Sequence, residues 1–443
     1  MSVFRYESFF TDAEQGLLTC RYSLDGREFT ERVTLAPSSR WDTPEAQAAA
    51  RLVYLLAGVS YYKTAAPPVI TIEASPVSEL ERDFLRQFYL QGLGEYAYKN
   101  GLDLSGLQID APASDTTVQP ERAGGGRAAL RPLIPFGGGI DSIVTVEKIR
   151  ALAPDSALFV VSKPGARFDA IEKPAAVTGL PVVRAGREID PQLLRSAELG
   201  FRNGHVPVTG IISAIAVLAA VLEGRDAVVM SNEWSASIPT LEHEGKPVNH
   251  QYSKSASFEA AFQTVLAATE GLPGYFSALR DRTELWVGEE FARLEQYHGT
   301  FRSCNRAFHI DVARRLDHWC GECDKCCFID LILAPFMSAS ALRDVFHVAG
   351  EPLTKPELAP KFAALLGSGT KPFECVGEVN ECRAAVMLAA RRADRADCTL
   401  LQELAADVAG RPDAPTDAEI EAMRRPVGEN FVPAAYAFGG AGA

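Results

Sequence analysis

Leu133-Ile-Pro-Phe-Gly-Gly-Gly-Ile-Asp-Ser142 carries an apolar run into three consecutive glycines, then Asp and Ser, and a helix-like run from 143 to 152 follows. This order predicts a strand, a tight turn and a helix N-terminus. Glycine adopts positive φ without strain and lets the backbone approach an anion closely. The first N–H groups of a helix have no partner within it and point at such an anion. Gly137, Gly138, Gly139, Asp141 and Ser142 are therefore candidates to hold a nucleotide triphosphate or pyrophosphate. A side chain at Gly138 is expected to block the anion and leave the fold intact. The Gly-Lys-Ser/Thr ending of a Walker loop is absent. An ordinary glycine turn is the alternative reading.

Downstream of this stretch, apolar runs at 130–136, 157–162, 182–185 and 227–231 alternate with helix-like segments. The alternation predicts an α/β fold, a parallel sheet with helices on both faces. Ligands of such sheets bind at the carboxyl ends of the strands. The glycines, Ser162-Lys163 and Ser231-Asn232-Glu233 all fall at such ends, which adds Lys163 and Asn232 to the nucleotide candidates. Upstream, 17–22 and 29–35 read as strands joined by an Asp25-Gly26 turn. A helix over 44–62 and a strand at 69–73 follow, and Ser78 with Glu81 forms a capping box for a helix ended by Gly101. The expected organisation is an N-terminal α+β domain (1–105), a linker (106–128), a nucleotide-binding domain with a cysteine cluster (129–335), and a mostly helical C-terminal region with a flexible tail (336–443).

The formal charge of −13 over 443 residues disfavours nucleic acid and anionic membranes as partners, and no Lys/Arg cluster offsets it. The opening residues lack the charged and apolar regions of a signal peptide. The most apolar segment, 206–222, contains Pro207, Thr209, Gly210 and Ser213 and reads as a buried helix. Nine cysteines, four of them between Cys320 and Cys327, do not form a disulfide framework for a chain this long. A cytoplasmic protein is expected.

Cys320, Cys323 and Cys326 stand at double Cys-x-x-Cys spacing, and Cys304 lies sixteen residues upstream. Four thiolates so spaced can close a tetrahedral zinc site. Iron–sulfur ligation and a metal-free thiol cluster are the alternatives, and His309 or His318 can replace one cysteine. Cys304 is also a candidate acid/base thiol. Two polar segments supply the other candidates for proton transfer or carboxylate binding: Asn203-Gly-His-Val-Pro-Val-Thr209 offers His205, and Asn249-His-Gln-Tyr-Ser-Lys-Ser255 offers His250, Tyr252 and Lys254. A turn histidine and a solvated loop are the plainer readings of these segments.

The glycine stretch resembles the PP-loop of N-type ATP pyrophosphatases, Ser-Gly-Gly-x-Asp-Ser, through Gly138, Gly139, Asp141 and Ser142. Gly137 replaces the first serine and removes one hydroxyl donor from the phosphate cradle. With the cysteines, the loop is similar to PP-loop synthases of the 7-cyano-7-deazaguanine type, whose zinc cluster is structural. The segments 136–142, 204–207, 249–254, 303–306, 320–326 and 371–377 together resemble the MurL family of UDP-N-acetyl-α-D-muramoyl-L-alanyl-L-glutamate epimerases over nearly the whole chain. That resemblance implies an adenine nucleotide alpha hydrolase-like fold, with ATP, Mg²⁺ and a structural Zn²⁺. It also implies inversion of a terminal L-Glu to D-Glu in a UDP-muramoyl dipeptide, with release of AMP and diphosphate, and a functional link to a ligase that adds L-Glu to UDP-MurNAc-L-Ala. The rivals are a PP-loop synthase adding ammonia or sulfur to an adenylated carboxylate or amide, and a sensor that binds ATP without turnover.

Overall fold

The N-terminal strands are Val3–Asp12 (β1), Leu17–Leu24 (β2), Arg27–Thr34 (β3), Val69–Ile72 (β4) and Gln108–Asp110 (β5). Asp25 and Gly26 both have positive φ, at 50° and 81°, the geometry of the tight hairpin turn expected between β2 and β3. The capping box at Ser78 and Glu81 is formed, and Gly101 ends the helical stretch in the left-handed conformation. Further along lie Pro132–Pro135 (β6), Ala157–Ser162 (β7), Val182–Glu188 (β8) and Ala227–Met230 (β9), followed by a short hairpin of Leu241–His243 (β10) and Lys246–Val248 (β11), and Gly274–Ser277 (β12). The computed structural model describes residues 2–114, 130–309, 311–369, 372–374 and 376–438. Most of the expected linker and the end of the expected tail lie outside the described residues, as do Lys371 and Cys375.

Ten strands form one mixed, mostly parallel sheet in the order β12-β9-β6-β7-β8-β3-β2-β1-β4-β5. The five strands from β12 to β8 are parallel. From β6 the chain winds outward to β7 and β8, then returns to the other side of β6 for β9 and β12. The winding reverses between β6 and β9, and a doubly wound sheet opens its ligand crevice at the carboxyl ends of such a pair. The β6–β9 crevice is where the three glycines emerge.

The N-terminal strands extend this same sheet, because β3 pairs antiparallel with the end of β8, Val33 opposite Arg187. A nearly dry ion pair fastens the joint: Glu31 is 0% exposed and accepts from Arg187 Nε at 2.7 Å and from the Tyr61 hydroxyl at 2.9 Å. Side chains alternate between the sheet's two faces. Leu133, Phe159, Val228 and Tyr275 enter one core, and Ile134, Leu158, Val229 and Phe276 enter the other. Helices Pro44–Ala57 and Val208–Glu223 line the first core; Ile140–Leu152 and Asp324–Leu333 line the second. Burial on both faces explains why these strands read as unbroken apolar runs.

Beyond Asp330 the described chain is largely helical, with helices at Ala339–Val345, Ala359–Leu365, Val379–Ala390, Thr399–Ala409 and Asp417–Met423. Among the described residues no helix is long and apolar enough to cross a membrane.

Candidate functional site

Gly138 leaves β6 with φ 77°, and Gly139 is the N-cap residue of helix Ile140–Leu152. No side chain caps this helix, so its first N–H groups stay available to an anion. The Ser142 hydroxyl donates back to Gly139 O at 3.0 Å and is committed to the turn. A Cβ on Gly138 would lie 2.1 Å from the Ala170 carbonyl oxygen, whereas one on Gly137 would meet nothing within 4 Å. Gly138 thus serves packing against Ala170, and a side chain there should destabilise the fold, where the sequence alone suggested no effect on it. Lys163 stands exposed past the end of β7. Asn232 is buried after β9, and its amide donates to Ser277 Oγ at 3.0 Å, which orients the crevice wall.

Asp141, Glu233 and Glu284 bring carboxylate oxygens within 4.8 Å of one another at this crevice. Glu284 opens the helix Glu284–Ala292, and its N–H donates to Glu381 at 3.1 Å. Burial drives the Glu284 carboxyl well above the usual range, and the charges of Asp141 and Glu233 push it the same way. Its Oε2 is buried without a hydrogen-bond partner. Carboxylates crowded in a dry place need a cation or a proton. An all-oxygen donor set beside a phosphate-type loop fits Mg²⁺.

A second centre lies under the β10–β11 hairpin. The His205 and His250 rings are 4.2 Å apart between centroids, and Glu95 accepts a hydrogen bond from His250 Nδ1. Glu95 also accepts from Lys99 Nζ at 2.5 Å. Burial raises the Glu95 carboxyl, but the hydrogen bonds from His250 and Lys99 outweigh it and hold Glu95 down at about 2. Burial, aided by the neighbouring His250, lowers His205 to about 4. Lys254 and Lys63 add their charges to the surroundings of His205. Tyr252 belongs to the apolar core beneath, its hydroxyl buried without a partner and pushed up to about 12 by burial.

Arg280, 1% exposed, ties the two centres together. Its guanidinium is held by Glu259 at 2.7 Å and donates to the carbonyl oxygens of Glu233 at 3.0 Å and Lys254 at 2.7 Å. Phe373 and Gly377 reach the two centres as well. Phe373 lies 6.2 Å from the His250 ring, and a Cβ on Gly377 would sit 3.2 Å from Glu284 Cγ. Tyr98, Ile238, Thr240, Leu241, Glu378 and Val379 help to line a cleft of about 420 Å³ beside them. Glu95, Glu284 and Arg280 lie at these two centres although no sequence motif singles them out, whereas Glu233 falls in the strand-end segment 231–233.

Cys304, Cys320, Cys323 and Cys326 converge with all four sulfurs within 4.8 Å of one another. Sγ–Sγ distances are 3.6 Å for Cys320–Cys326 and 3.5 Å for Cys323–Cys326. A tetrahedron with Zn–S near 2.3 Å requires about 3.8 Å, so the cluster fits zinc with little adjustment. Gly321, at φ 64°, makes the turn that lets the Cys323 N–H donate to Cys320 sulfur at 3.4 Å. His309 and His318 are not part of this set; their Nδ1 atoms engage Asp311 and Asp317.

The family model described as the MurL N-terminal domain matches residues 1–278, and the MurL C-terminal domain matches 300–419. Three curated relatives, each named UDP-N-acetyl-alpha-D-muramoyl-L-alanyl-L-glutamate epimerase, are 38% identical to the chain. That of Xanthomonas oryzae pv. oryzae aligns over 98% of this chain and 96% of its own, and that of Salinispora tropica over 99% and 95%. The relative from a Micromonospora species aligns over 91% and 90%. No solved structure matches the chain. The chain belongs to the MurL family.

Proposed function

We infer that this MurL-family chain is an epimerase that inverts the terminal L-Glu of UDP-MurNAc-L-Ala-L-Glu to D-Glu, in peptidoglycan precursor synthesis. The observation that carries this is 38% identity to epimerases of that name over at least 90% of both chains. The substrate comes from a ligase that adds L-Glu to UDP-MurNAc-L-Ala.

The glycine loop at the sheet's switch point supports an ATP-driven route on an adenine nucleotide alpha hydrolase-like fold. The α-proton beside a free carboxylate is very weakly acidic. Attack of that carboxylate on the α-phosphorus of ATP releases diphosphate and leaves an acyl-adenylate, whose α-proton is far easier to remove. Reprotonation on the other face inverts the centre, and water releases AMP. Gly138, Gly139 and the open turn of helix Ile140–Leu152 cradle the diphosphate. Asp141, Glu233 and Glu284 would hold Mg²⁺, which when bound screens the phosphate charge. The four cysteines hold a structural zinc, and Cys304 is one of its ligands and not a proton carrier.

His205, neutral because it is buried, is the proton acceptor, and Glu95 orients its partner His250. A carbon held between two rings needs about 7 Å, and the ring centroids are 4.2 Å apart. The pair therefore works from one face of Cα as a relay. Lys254, whose charge reaches His205, is the candidate for the opposite face. With UDP-MurNAc-L-Ala-L-Glu, ATP and Mg²⁺ in D₂O, the product should carry D-Glu with deuterium at Cα, and AMP and diphosphate should appear. Sustained ADP formation, inversion without ATP, or incorporation of ammonia would each overturn this route.

A further inference from the structure

Gly137 leaves the phosphate loop without a side-chain hydroxyl at its first position, and the space beside it is open. Directly against the loop lies residue 303, from a segment far downstream. Ser303 Cβ is 3.6 Å from where a Cβ on Gly139 would stand. The preceding residue, Arg302, donates its N–H to Gly138 O at 3.3 Å. The following residue, Cys304, is one of the four clustered cysteines. Ser303 is thus held at the loop from both sides, by the backbone bond of Arg302 and by the clustered Cys304. Its Oγ is buried and has no hydrogen-bond partner. A buried hydroxyl left unpaired is costly, and here it borders a helix N-terminus that no side chain caps.

We propose that Ser303 donates the hydroxyl hydrogen bond that Gly137 cannot, to a phosphate oxygen of the nucleotide held in the glycine loop. The inference rests on the nucleotide reading of that loop. It also gives the cysteine cluster a second role, because a metal held by Cys304, Cys320, Cys323 and Cys326 would fix the position of a nucleotide-binding hydroxyl. Such a donor works only when its segment is clamped, because a serine on a loose loop loses in ordering what it gains in bonding.

The test is calorimetric titration of the zinc-loaded full chain with the magnesium complex of α,β-methylene-ATP, which binds without releasing diphosphate. Ser303→Ala should weaken binding about tenfold or more, the loss expected for one hydrogen bond to a charged group. Ser303→Thr, which keeps the hydroxyl, should stay within a few-fold of the parent chain. Gly137→Ser in the Ser303→Ala background should recover most of the lost affinity, with metal content and unfolding midpoint unchanged throughout. Equal binding by Ser303→Ala and the parent chain overturns the proposal while the nucleotide reading stands. A loss that Gly137→Ser does not recover also overturns it, since Ser303 would then act only by shaping the loop. No binding by the parent chain removes the nucleotide reading itself.

Discussion

Replacing Gly138 by alanine, with Gly137→Ala as its control, puts the loop geometry to a quantitative test. At Gly138 the φ of 77° forces an alanine into the left-handed region, at a cost of about 1–2 kcal/mol. The new Cβ would also stand 2.1 Å from the Ala170 carbonyl oxygen, so the loop or the helix Asp169–Thr178 must shift. Overpacking of this kind adds about 1–3 kcal/mol, which gives a total destabilisation of about 2–5 kcal/mol. At Gly137 the Cβ meets nothing within 4 Å and φ is not positive. Alanine there should be neutral or should stabilise by up to about 1 kcal/mol, through loss of freedom in the unfolded chain. Urea unfolding followed by tryptophan fluorescence should show a clearly lower midpoint for Gly138→Ala and an unchanged or higher one for Gly137→Ala. AMP formation should be lost in the first and kept in the second. A Gly138→Ala protein with the parent midpoint would refute the reasoning, because the loop could then hold neither its positive φ nor its contact with Ala170.

Two further outcomes follow from the other centres. Zinc should co-purify near one equivalent per chain, and Cys323→Ser should lower the unfolding midpoint markedly while wild-type protein stripped of metal falls to a similar value; full stability without metal would remove zinc from the site. Below neutrality, stability should fall as His205 is forced to take a proton. Its folded pKa is about 4 against an ordinary 6.5, lowered by burial and by His250, so its contribution is complete above pH 6.5 and lost progressively down to about pH 4. Allowing for partial exposure, the loss is on the order of 2 kcal/mol. The surrounding charges are Glu95, Lys254 and Lys63. Glu95, held down at about 2, loses its share in the next window, from about 4.5 to 2. In His205→Asn the upper window should vanish from a midpoint-against-pH profile; a profile that keeps it assigns the effect elsewhere.

The parts of the fold that were legible in the sequence are those whose causes are local. Asp25-Gly26 had to turn because both residues tolerate positive φ. Ser78 and Glu81 mark a helix start by bonding to each other. Through spacing alone, the double Cys-x-x-Cys announces a cluster that could bind a metal. The missed features depend on partners far apart in the chain. Glu95 reads in sequence as the i,i+4 partner of Lys99, and nothing local connects it to His250, 155 residues away. Glu284 reads as an ordinary acidic residue in the first turn of a helix; only folding sets it beside Asp141 and Glu233. The N-terminal strands were expected as a separate unit, since no local pattern pairs Arg32 with Glu188.

That late pairing has a consequence for how the chain is made. The hairpin of β2 and β3 is complete by Thr34, but the strand that covers β3 begins at Val182. At about 5–20 residues per second, the roughly 150 residues between them take about 8–30 s to synthesise. Throughout that interval β3 is a naked edge, the kind of surface on which nascent chains aggregate. Its sequence, Arg27-Glu-Phe-Thr-Glu-Arg-Val-Thr34, carries four charges in eight residues, and charge along an edge keeps strange strands away. Glu31 is one of those guards, and it becomes the buried anchor for Arg187 once β8 arrives. The same carboxylate repels unsuitable partners early and selects the right one late.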